Sequence, residues 1–310
     1  MSEKAQIIDE FWLKIFAFVS MVLDHIGLFL VSNYATTSNA FAIGSIFRIV
    51  GRLAFPLFAF FLSEGLKHTK SKNEYLLRLF FVWLGIALVE TILYSSYRVG
   101  QANGSSSWLS SFGAQVGSQA FTDLLLYALF IYLVENQNKK IRYLSILPVL
   151  YIILCYALEV LDRYDFETYL YFPAFLRASY NLFGFLIFLG FYYAYRIADI
   201  WVNKGLRLDG EELLKYQATP SYRRLVNVIG VTFFLVVTVF LWGISYLNWR
   251  FDVYENPDTK IQNYCLLDCL LLLMYSGKRG YDAKWWRYFE YAFYPLHIAI
   301  IVIVFTILLR

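Results

Sequence analysis

The sequence contains little of what soluble and secreted folds depend on. Only 16% of its 310 residues are charged, and it holds three cysteines, three histidines and six prolines. Cys155, Cys265 and Cys269 lie inside apolar segments, so they indicate neither a disulfide framework nor a metal site. The net charge is only +4, and the basic residues are dispersed in short connections, which argues against a nucleic-acid partner.

What the chain has in excess is apolar surface. Hydrophobic residues make up 59% of it, against about 45–50% in ordinary soluble domains. Several apolar runs reach the roughly 20 residues with which an α-helix crosses the hydrocarbon core of a bilayer. We therefore predict a single all-α domain, residues 1–310, built as a polytopic transmembrane helix bundle in contact with the lipid bilayer. About nine spans are expected, near residues 11–31, 44–66, 75–97, 120–135, 143–161, 174–196, 224–248, 261–276 and 288–309.

The distribution of Lys and Arg predicts the orientation of these spans. With the N-terminus inside, 18 of the 27 basic residues fall on cytoplasmic segments, 6 on the opposite side and 3 within spans. Because positive charge accumulates on the cytoplasmic side, the pattern predicts a membrane protein with its N-terminus in the cytoplasm and its C-terminus outside. The connection 98–119 is polar and nearly uncharged, and 197–223 is expected to hold a short amphipathic helix at the surface.

Ionisable side chains occur inside the predicted spans, where each costs a few kcal/mol unless it faces a bundle interior or a watery cavity. Lys14 and His25 share a face of the first span, since eleven residues at roughly 100° each return to within about 20°. Arg48 and Arg52 have i, i+4 spacing and share a face of the second span, at a depth similar to Asp24 and His25. Further such residues are Glu64, Glu90, Asp123, Asp268 and His297.

Two interpretations of the group Asp24, His25, Arg48 and Arg52 remain open. It can be a buried ion-pair network that fixes helix register. It can also be a catalytic site in which His25 is a general base, because an imidazole with a pKa near 6.5 accepts a proton near neutral pH. In either case Asp24 is expected to pair with an arginine, since it points about 100° away from His25.

His297 poses a similar choice in the last span. It follows Pro295, whose ring removes a helical hydrogen bond and leaves carbonyls free nearby. The imidazole either bonds a backbone carbonyl of a neighbouring helix or belongs to a functional site, with Asp268 as a potential partner. Two further segments combine glycine with basic and hydroxyl groups that would suit phosphates, although positive-inside topology also explains their charges. They are Glu64 to Lys70, with Lys67 and His68, and Tyr275 to Gly280, with Ser276, Lys278 and Arg279.

These blocks together resemble the TraX family, and the resemblance spans both ends of the chain while the middle, roughly 95–225, has no alignable motif. The segments that carry it are Asp24-His25-Ile26-Gly27, Gly51-Arg52-Leu53-Ala54-Phe55-Pro56-Leu57-Phe58-Ala59-Phe60 with Glu64-Gly65, His68-Thr69 and Tyr75 to Leu79, and Tyr275-Ser276-Gly277-Lys278-Arg279-Gly280 with Tyr294-Pro295-Leu296-His297.

The resemblance implies an acyltransferase of the bacterial cytoplasmic membrane. The family is associated with N-terminal acetylation of pilin and is similar to integral-membrane acyltransferases, which carry a basic residue ten positions before a histidine, as Lys14 and His25 do here. Those enzymes also carry paired arginines in a following span, with a narrower gap than that between Arg48 and Arg52.

The implied chemistry assigns roles to these residues. Acetyl-CoA is the expected donor, His25 the base or the acylated group, Arg48 and Arg52 the oxyanion or anion-binding groups held by Asp24, and His297 a second acid–base group. Donor binding falls to Lys14, Lys67, His68, Tyr275, Ser276, Lys278 and Arg279, and no metal is expected. The acceptor stays open among protein N-termini, sugars and lipid-linked glycans. The alternatives are a proton-coupled transporter, with Asp24, His25, Glu90, Asp268 and His297 as a relay, and a non-catalytic pilus or secretion assembly factor.

Overall fold

The computed structural model describes residues 6–33, 38–104, 117–247 and 259–308. Thirteen α-helices follow one another along these residues, joined by short turns and 3₁₀ segments. Their bounds are α1 Glu10–Asn33, α2 Ser38–Gly51, α3 Ala54–His68, α4 Lys72–Asn103, α5 Ala120–Val134, α6 Lys139–Tyr143, α7 Ile146–Asp162, α8 Asn181–Leu206, α9 Gly210–Gln217, α10 Pro220–Leu247, α11 Thr259–Gln262, α12 Asp268–Leu273 and α13 Lys284–Leu308.

The prediction of an all-α, multi-pass membrane protein is confirmed. Within the described residues, seven helical stretches are long and apolar enough to cross a bilayer, and the segments Ala120–Val134 and Asn263–Leu273 are shorter. These two are the fourth and eighth of the predicted spans, so each of the nine predicted segments has a helical counterpart. The number of crossings and the N-in orientation stay predictions, because helix length and composition fix neither.

The described residues form two compact units. The first comprises residues 6–33, 38–67, 186–247 and 259–290, and the second comprises 68–104, 117–185 and 291–308. Asp24, His25, Arg48, Arg52 and Lys14 belong to the first unit, together with the segment Tyr275 to Gly280, whereas His68 and His297 belong to the second.

Helix ends in both units follow ordinary capping chemistry. Asp9 caps α1, since its Oδ1 accepts from the Trp12 amide at 3.1 Å. Ser71 caps α4 through a 3.3 Å bond from the Glu74 amide, and Gly104 ends that helix in the left-handed region at φ +62°. Helix α4 thus extends beyond the predicted 75–97 as far as Asn103, and residues 105–116 of the predicted polar connection lie outside the described residues.

The second predicted span, 44–66, is interrupted between α2 and α3. Its helical hydrogen bonding breaks at Arg52 and Leu53, whose amides donate to Ile49 and Val50 at 3.2 Å in tight turns. Pro56 explains the break, because its ring lacks an N–H and collides with the carbonyl four residues earlier, which is that of Arg52. The proline therefore places Arg52 at a helix break inside the span.

The eighth predicted segment, 261–276, is also discontinuous and ends earlier than expected, at Leu273. A 3₁₀ turn, Asn263–Leu267, separates α11 from α12. Side chains at i and i+3 eclipse in a 3₁₀ helix, so Gln262, Cys265 and Asp268 fall on one face, and all three are buried.

The sixth span starts later than the predicted 174–196, because α8 begins at Asn181. Its first amides are held by the carboxylate of Asp123 on α5, which accepts from Ser179, Tyr180 and Asn181 at 2.6, 3.1 and 3.0 Å. Asp123 thus caps α8 from a different helix, which gives this deeply buried acid a structural explanation.

The predicted amphipathic helix within 197–223 is confirmed as α9. Leu213 and Tyr216 pack against a buried cluster that includes Ala198 and Val226, whereas Glu211 and Glu212 are exposed in the first turn. The acidic first turn matches the partial positive charge of a helix N-terminus.

Candidate functional site

Asp24 lies between two arginines in the first unit. Arg52 Nη2 is 2.5 Å from Asp24 Oδ1 and 2.7 Å from Oδ2, and Arg48 Nη1 is 3.2 Å from Oδ2. The side chains of Arg52, Arg48 and Asp24 are only 2%, 9% and 16% exposed. The predicted pairing of Asp24 with an arginine is confirmed, and it leaves one positive charge in excess at span depth.

Glycines allow α1 and α2 to approach closely enough for this pairing. A Cβ added to Gly27 would lie 2.7 Å from the carbonyl oxygen of Gly44, and a Cβ on Gly44 would lie 3.0 Å from that of Gly27. A Cβ on Gly51 would overlap the Asp24 side chain itself. Two glycines of the family-like blocks, Gly27 and Gly51, therefore serve helix packing around Asp24, as small residues commonly do in membrane helices.

Gln262 of α11 is a further member of the cluster. Its Oε1 lies 3.4 Å from Arg52 Nη1, and the same guanidinium donates from Nε to the carbonyl of Arg48 at 3.3 Å. The second bond satisfies a carbonyl at the end of α2 that the helix break leaves unpaired. A search for ionisable residues misses Gln262 because its side chain is neutral, although a glutamine at the start of an apolar run was visible in the sequence.

His25 directly follows Asp24 on α1. Its Nδ1 lies 2.9 Å from the carbonyl oxygen of Met21, one turn earlier. Because a carbonyl only accepts, Nδ1 carries the proton, and in the neutral ring Nε2 then holds the basic lone pair. The backbone thus selects the tautomer that a general base acting through Nε2 requires.

Lys14 is held by two carboxylates. Its Nζ lies 2.8 Å from Glu290 Oε1, 2.9 Å from Glu290 Oε2 and 2.8 Å from Glu10 Oε1. The group carries one negative charge in excess, which opposes binding of donor phosphates. Sequence reasoning missed Glu290 because it is 276 residues from Lys14.

A second buried ion pair joins Glu64 to Arg223. Arg223 Nη1 and Nη2 lie 2.9 and 3.2 Å from the carboxylate oxygens, and the Tyr195 hydroxyl donates to Glu64 Oε1 at 2.7 Å. Arg223 Nε also donates to Asn227 at 2.9 Å, and its guanidinium lies 4.4 Å from the ring centroid of Tyr275. The charge of the Glu64 carboxylate is balanced by that of the Arg223 guanidinium, and both groups are hydrogen-bonded. This arrangement gives Glu64 a structural role.

The segment Tyr275 to Gly280 receives the N-terminal end of α1. The carbonyls of Lys278 and Arg279 accept the amides of Glu10 and Phe11 at 2.8 and 3.2 Å, which would otherwise be unpaired at the helix start. Gly277 and Gly280 have φ of +77° and +69°, and a Cβ on Gly280 would lie 2.5 Å from the Asp9 carboxylate. Backbone geometry therefore accounts for both glycines without a bound phosphate.

The side chains of that segment differ in accessibility. Tyr275 is 2% exposed, and burial, together with the nearby Glu64 carboxylate, raises the pKa of its hydroxyl. Ser276 accepts the Lys278 amide at 3.4 Å, while Lys278 and Arg279 are exposed. Only the last two of these predicted donor-binding residues present charge to solvent.

Lys67 and the remaining histidines have separate surroundings. Lys67 Nζ lies 3.9 Å from the ring centroid of Tyr192, a cation–π contact. His68 is exposed in the second unit. In that unit His297 Nδ1 lies 2.9 Å from the carbonyl oxygen of Phe293, so the imidazole bonds a backbone carbonyl of its own helix.

Asp268 is the least compensated acid among the described residues. It is 0% exposed, and neither carboxylate oxygen has a hydrogen-bond partner. The partnership with His297 stays a prediction, because the two residues belong to different units. An orphaned buried carboxyl marks either stored strain or a functional group.

Fold and site define a multi-pass α-helical membrane protein with a buried arginine pair on one carboxylate. The chain belongs to the TraX family, whose model, described as TraX protein, matches residues 10–206. It is also similar to the probable fimbrial assembly protein FimC, serogroup H1, of Dichelobacter nodosus, with 39% identity over 71 residues. That match covers 23% of this chain and 27% of the relative, so it spans about a quarter of the relative's length. No solved structure matches the chain.

Proposed function

We propose that this protein is a pilus-related membrane acyltransferase that moves an acyl group, with acetyl-CoA as donor, to an amine or hydroxyl of a cell-envelope acceptor. The observation that carries the proposal is the excess positive charge of the buried Arg48 and Arg52 over Asp24, whose neighbour in the chain, His25, has its Nδ1 bonded to the carbonyl of Met21. Membership of the TraX family and the similarity to a probable fimbrial assembly protein support the link to pili.

The proposed reaction uses these groups in order. His25 Nε2 takes the proton of the acceptor amine or hydroxyl while the acceptor attacks the thioester carbonyl carbon. The developing oxyanion is stabilised by the guanidinium groups, above all that of Arg48, whose single bond to Asp24 at 3.2 Å is the longer of the two pairings. The carbon–sulfur bond then breaks, and the coenzyme thiolate takes the proton back from His25.

Donor binding is proposed for fewer residues than the sequence suggested. Lys278 and Arg279 are exposed and basic, which suits coenzyme phosphates, and Lys67 and His68 follow one another at the end of α3. Lys14 is less suited, because Glu10 and Glu290 hold it. Tyr275 is less suited too, because it is buried against Arg223.

The test is acetyl transfer by the purified protein in nanodiscs, with acetyl-labelled acetyl-CoA and a membrane extract as the source of acceptor. Wild-type protein should label an extract component and release one coenzyme thiol for each acetyl group transferred. His25→Gln keeps hydrogen bonding but accepts no proton at neutral pH, so it should lose transfer by about 10²–10⁴-fold while donor binding is kept. Transfer by the Gln variant at the wild-type rate would remove His25 from the reaction.

A non-catalytic role in fimbrial assembly is the second candidate, favoured by the similarity to a probable fimbrial assembly protein. The same His25→Gln variant separates the two candidates in cells. If it restores fimbriae to a strain without the gene, and the wild-type protein neither transfers acetyl nor releases thiol, the protein acts in assembly without catalysis.

A further inference from the structure

A pair of exposed arginines is clamped on one carboxylate where α13 begins. Asp282 Oδ2 accepts from Arg279 Nη1 at 3.1 Å and from Arg287 Nη2 at 2.9 Å, and its Oδ1 accepts from Arg287 Nε at 2.7 Å. The arginine side chains are 62% and 55% exposed. The hydrogen bonds from Arg287, followed by those from Arg279, lower the pKa of Asp282, so the clamp stays assembled at neutral pH.

The clamp keeps binding capacity for an anion. Each guanidinium carries five N–H donors. Arg279 uses one of them on the Asp282 carboxylate and Arg287 uses two, so both arginines keep donors for a further anion. Two guanidinium groups on one carboxylate leave one positive charge, and the adjacent Lys278 and Lys284 are basic as well. Guanidinium groups held in place suit phosphate oxygens, since little side-chain freedom is lost on binding.

Exposed aromatic side chains lie in the same stretch of chain. Tyr281, Trp285 and Tyr288 are 49%, 58% and 77% exposed, and Trp285 Nε1 donates to the Tyr281 hydroxyl at 2.9 Å. Phe11 of α1 packs against Tyr281 with ring centroids 5.6 Å apart, beside Trp12, which is 55% exposed. Such rings, with an apolar body and a polar edge, concentrate at the headgroup level of membranes.

The position of the clamp decides between sources of phosphate. Helix α13 is apolar enough to cross a bilayer from Lys284 to Phe305, so Arg279 and Arg287 flank the point where the apolar run begins. The phosphates of the donor suit Arg279 as well, but the apolar run that begins beside the clamp favours a phospholipid, which places its phosphate beside the arginines and its glycerol and upper acyl chains beside the rings. We propose that Arg279, Asp282 and Arg287, with Tyr281 and Trp285, form a binding site for the headgroup of an anionic phospholipid.

The experiment compares lipid affinities of the delipidated full-length protein by native mass spectrometry, with phosphatidylglycerol and phosphatidylcholine as probes. The test variant is Arg279→Gln with Arg287→Gln. The matched control is Lys139→Gln with Lys140→Gln, which removes the same charge from α6, an exposed helix without tryptophan.

The test variant should bind phosphatidylglycerol roughly ten- to thirtyfold more weakly, as expected when two guanidinium groups lose their direct charge-assisted hydrogen bonds to the phosphate. Its affinity for phosphatidylcholine and the affinities of the control should change less than threefold. Trp285→Phe, which keeps a smaller aromatic ring but removes the indole N–H, should weaken phosphatidylglycerol binding in the same direction and by a smaller factor.

Three results would overturn the proposal. Unchanged phosphatidylglycerol binding by the test variant would exclude the site. An equal loss of phosphatidylglycerol affinity in the test and control variants would show that the lipid responds to overall positive charge and not to this site. Unchanged lipid binding together with weaker acetyl-CoA binding would assign the arginines to the phosphates of the donor.

Discussion

Removing the charge of Asp24 is the most informative single change to the arginine cluster. Asp24→Asn keeps the size of the side chain but leaves Arg52, 2% exposed, and Arg48, 9% exposed, without a counter-charge. Breaking one partner out of a buried pair costs about 3–5 kcal/mol of folding free energy. We expect a loss at the upper end of that range, because two guanidinium groups are left uncompensated.

The two arginines should respond differently to removal. Arg52 makes two contacts with Asp24, at 2.5 and 2.7 Å, and also bonds Gln262 and the Arg48 carbonyl, so Arg52→Gln leaves several buried groups unpaired. Arg48→Gln removes a single 3.2 Å bond and leaves Asp24 with Arg52 in a neutral pair. We therefore expect Arg52→Gln to cost about 3 kcal/mol or more and Arg48→Gln about 1 kcal/mol.

The assay is a double-mutant cycle on thermal or denaturant unfolding in a fixed detergent. Asp24→Asn combined with Arg52→Gln should be milder than the sum of the single changes by about 1–3 kcal/mol, because the double variant buries no lone charge from this pair. Strictly additive losses would show that the two side chains do not meet. A larger loss for Arg48→Gln than for Arg52→Gln would refute the ranking by contact geometry.

Three further predictions test other parts of the structure. Gly51→Ala should lower stability by about 1–3 kcal/mol because its Cβ overlaps Asp24, whereas Gly243→Ala, a matched helix glycine with no atom within 4 Å of an added Cβ, should be neutral or stabilising in the same unfolding assay. Asp268→Leu should raise the melting temperature, since it removes a buried carboxyl whose oxygens lack hydrogen-bond partners. A lower melting temperature would indicate that the Asp268 carboxyl is hydrogen-bonded in the folded protein. Reporter fusions after residues 70, 140, 210 and 282 should read cytoplasmic, and those after 38, 105, 165 and 255 external; an external signal at 282 would exclude nine spans in the N-in orientation.

The parts of the fold that the sequence predicts are those set by local pattern. Apolar runs locate the helical segments because the bilayer demands a minimum length, and i, i+4 spacing puts Arg48 and Arg52 on one face. The pairing with Asp24 also followed from the pattern, since a buried arginine needs a counter-charge and few acids lie in the early spans. The break after α2 was visible in principle, because Pro56 forbids a continuous helix there.

The parts that the sequence did not predict depend on residues far apart in the chain. Glu290 meets Lys14 across 276 positions and Arg223 meets Glu64 across 159, and no local periodicity encodes either pair. Without these partners, Lys14 looked like an uncompensated cation suited to the donor. The glycines at 277 and 280 were similarly ambiguous, since their positive φ and the packing of Gly280 against Asp9 became evident only in three dimensions.

Family membership does not by itself show which residues of the shared blocks are catalytic, because helix packing already explains most of them. Gly27 and Gly51 bring α1 and α2 together, Pro56 places Arg52 at a helix break, and Glu64 is neutralised by Arg223. A purely structural network tends towards charge balance, since an excess charge at span depth is costly. The Glu64 pair is balanced, whereas the Asp24 cluster carries one guanidinium more than its carboxylate neutralises.

Arg48 supplies that excess positive charge. Because its hydrogen bond to Asp24 is long, Arg48 contributes little to the stability of the fold. An anionic ligand or a developing oxyanion at this cluster gives a reason to keep Arg48, so a large loss of transfer in Arg48→Gln, with little loss of stability, would separate catalysis from packing.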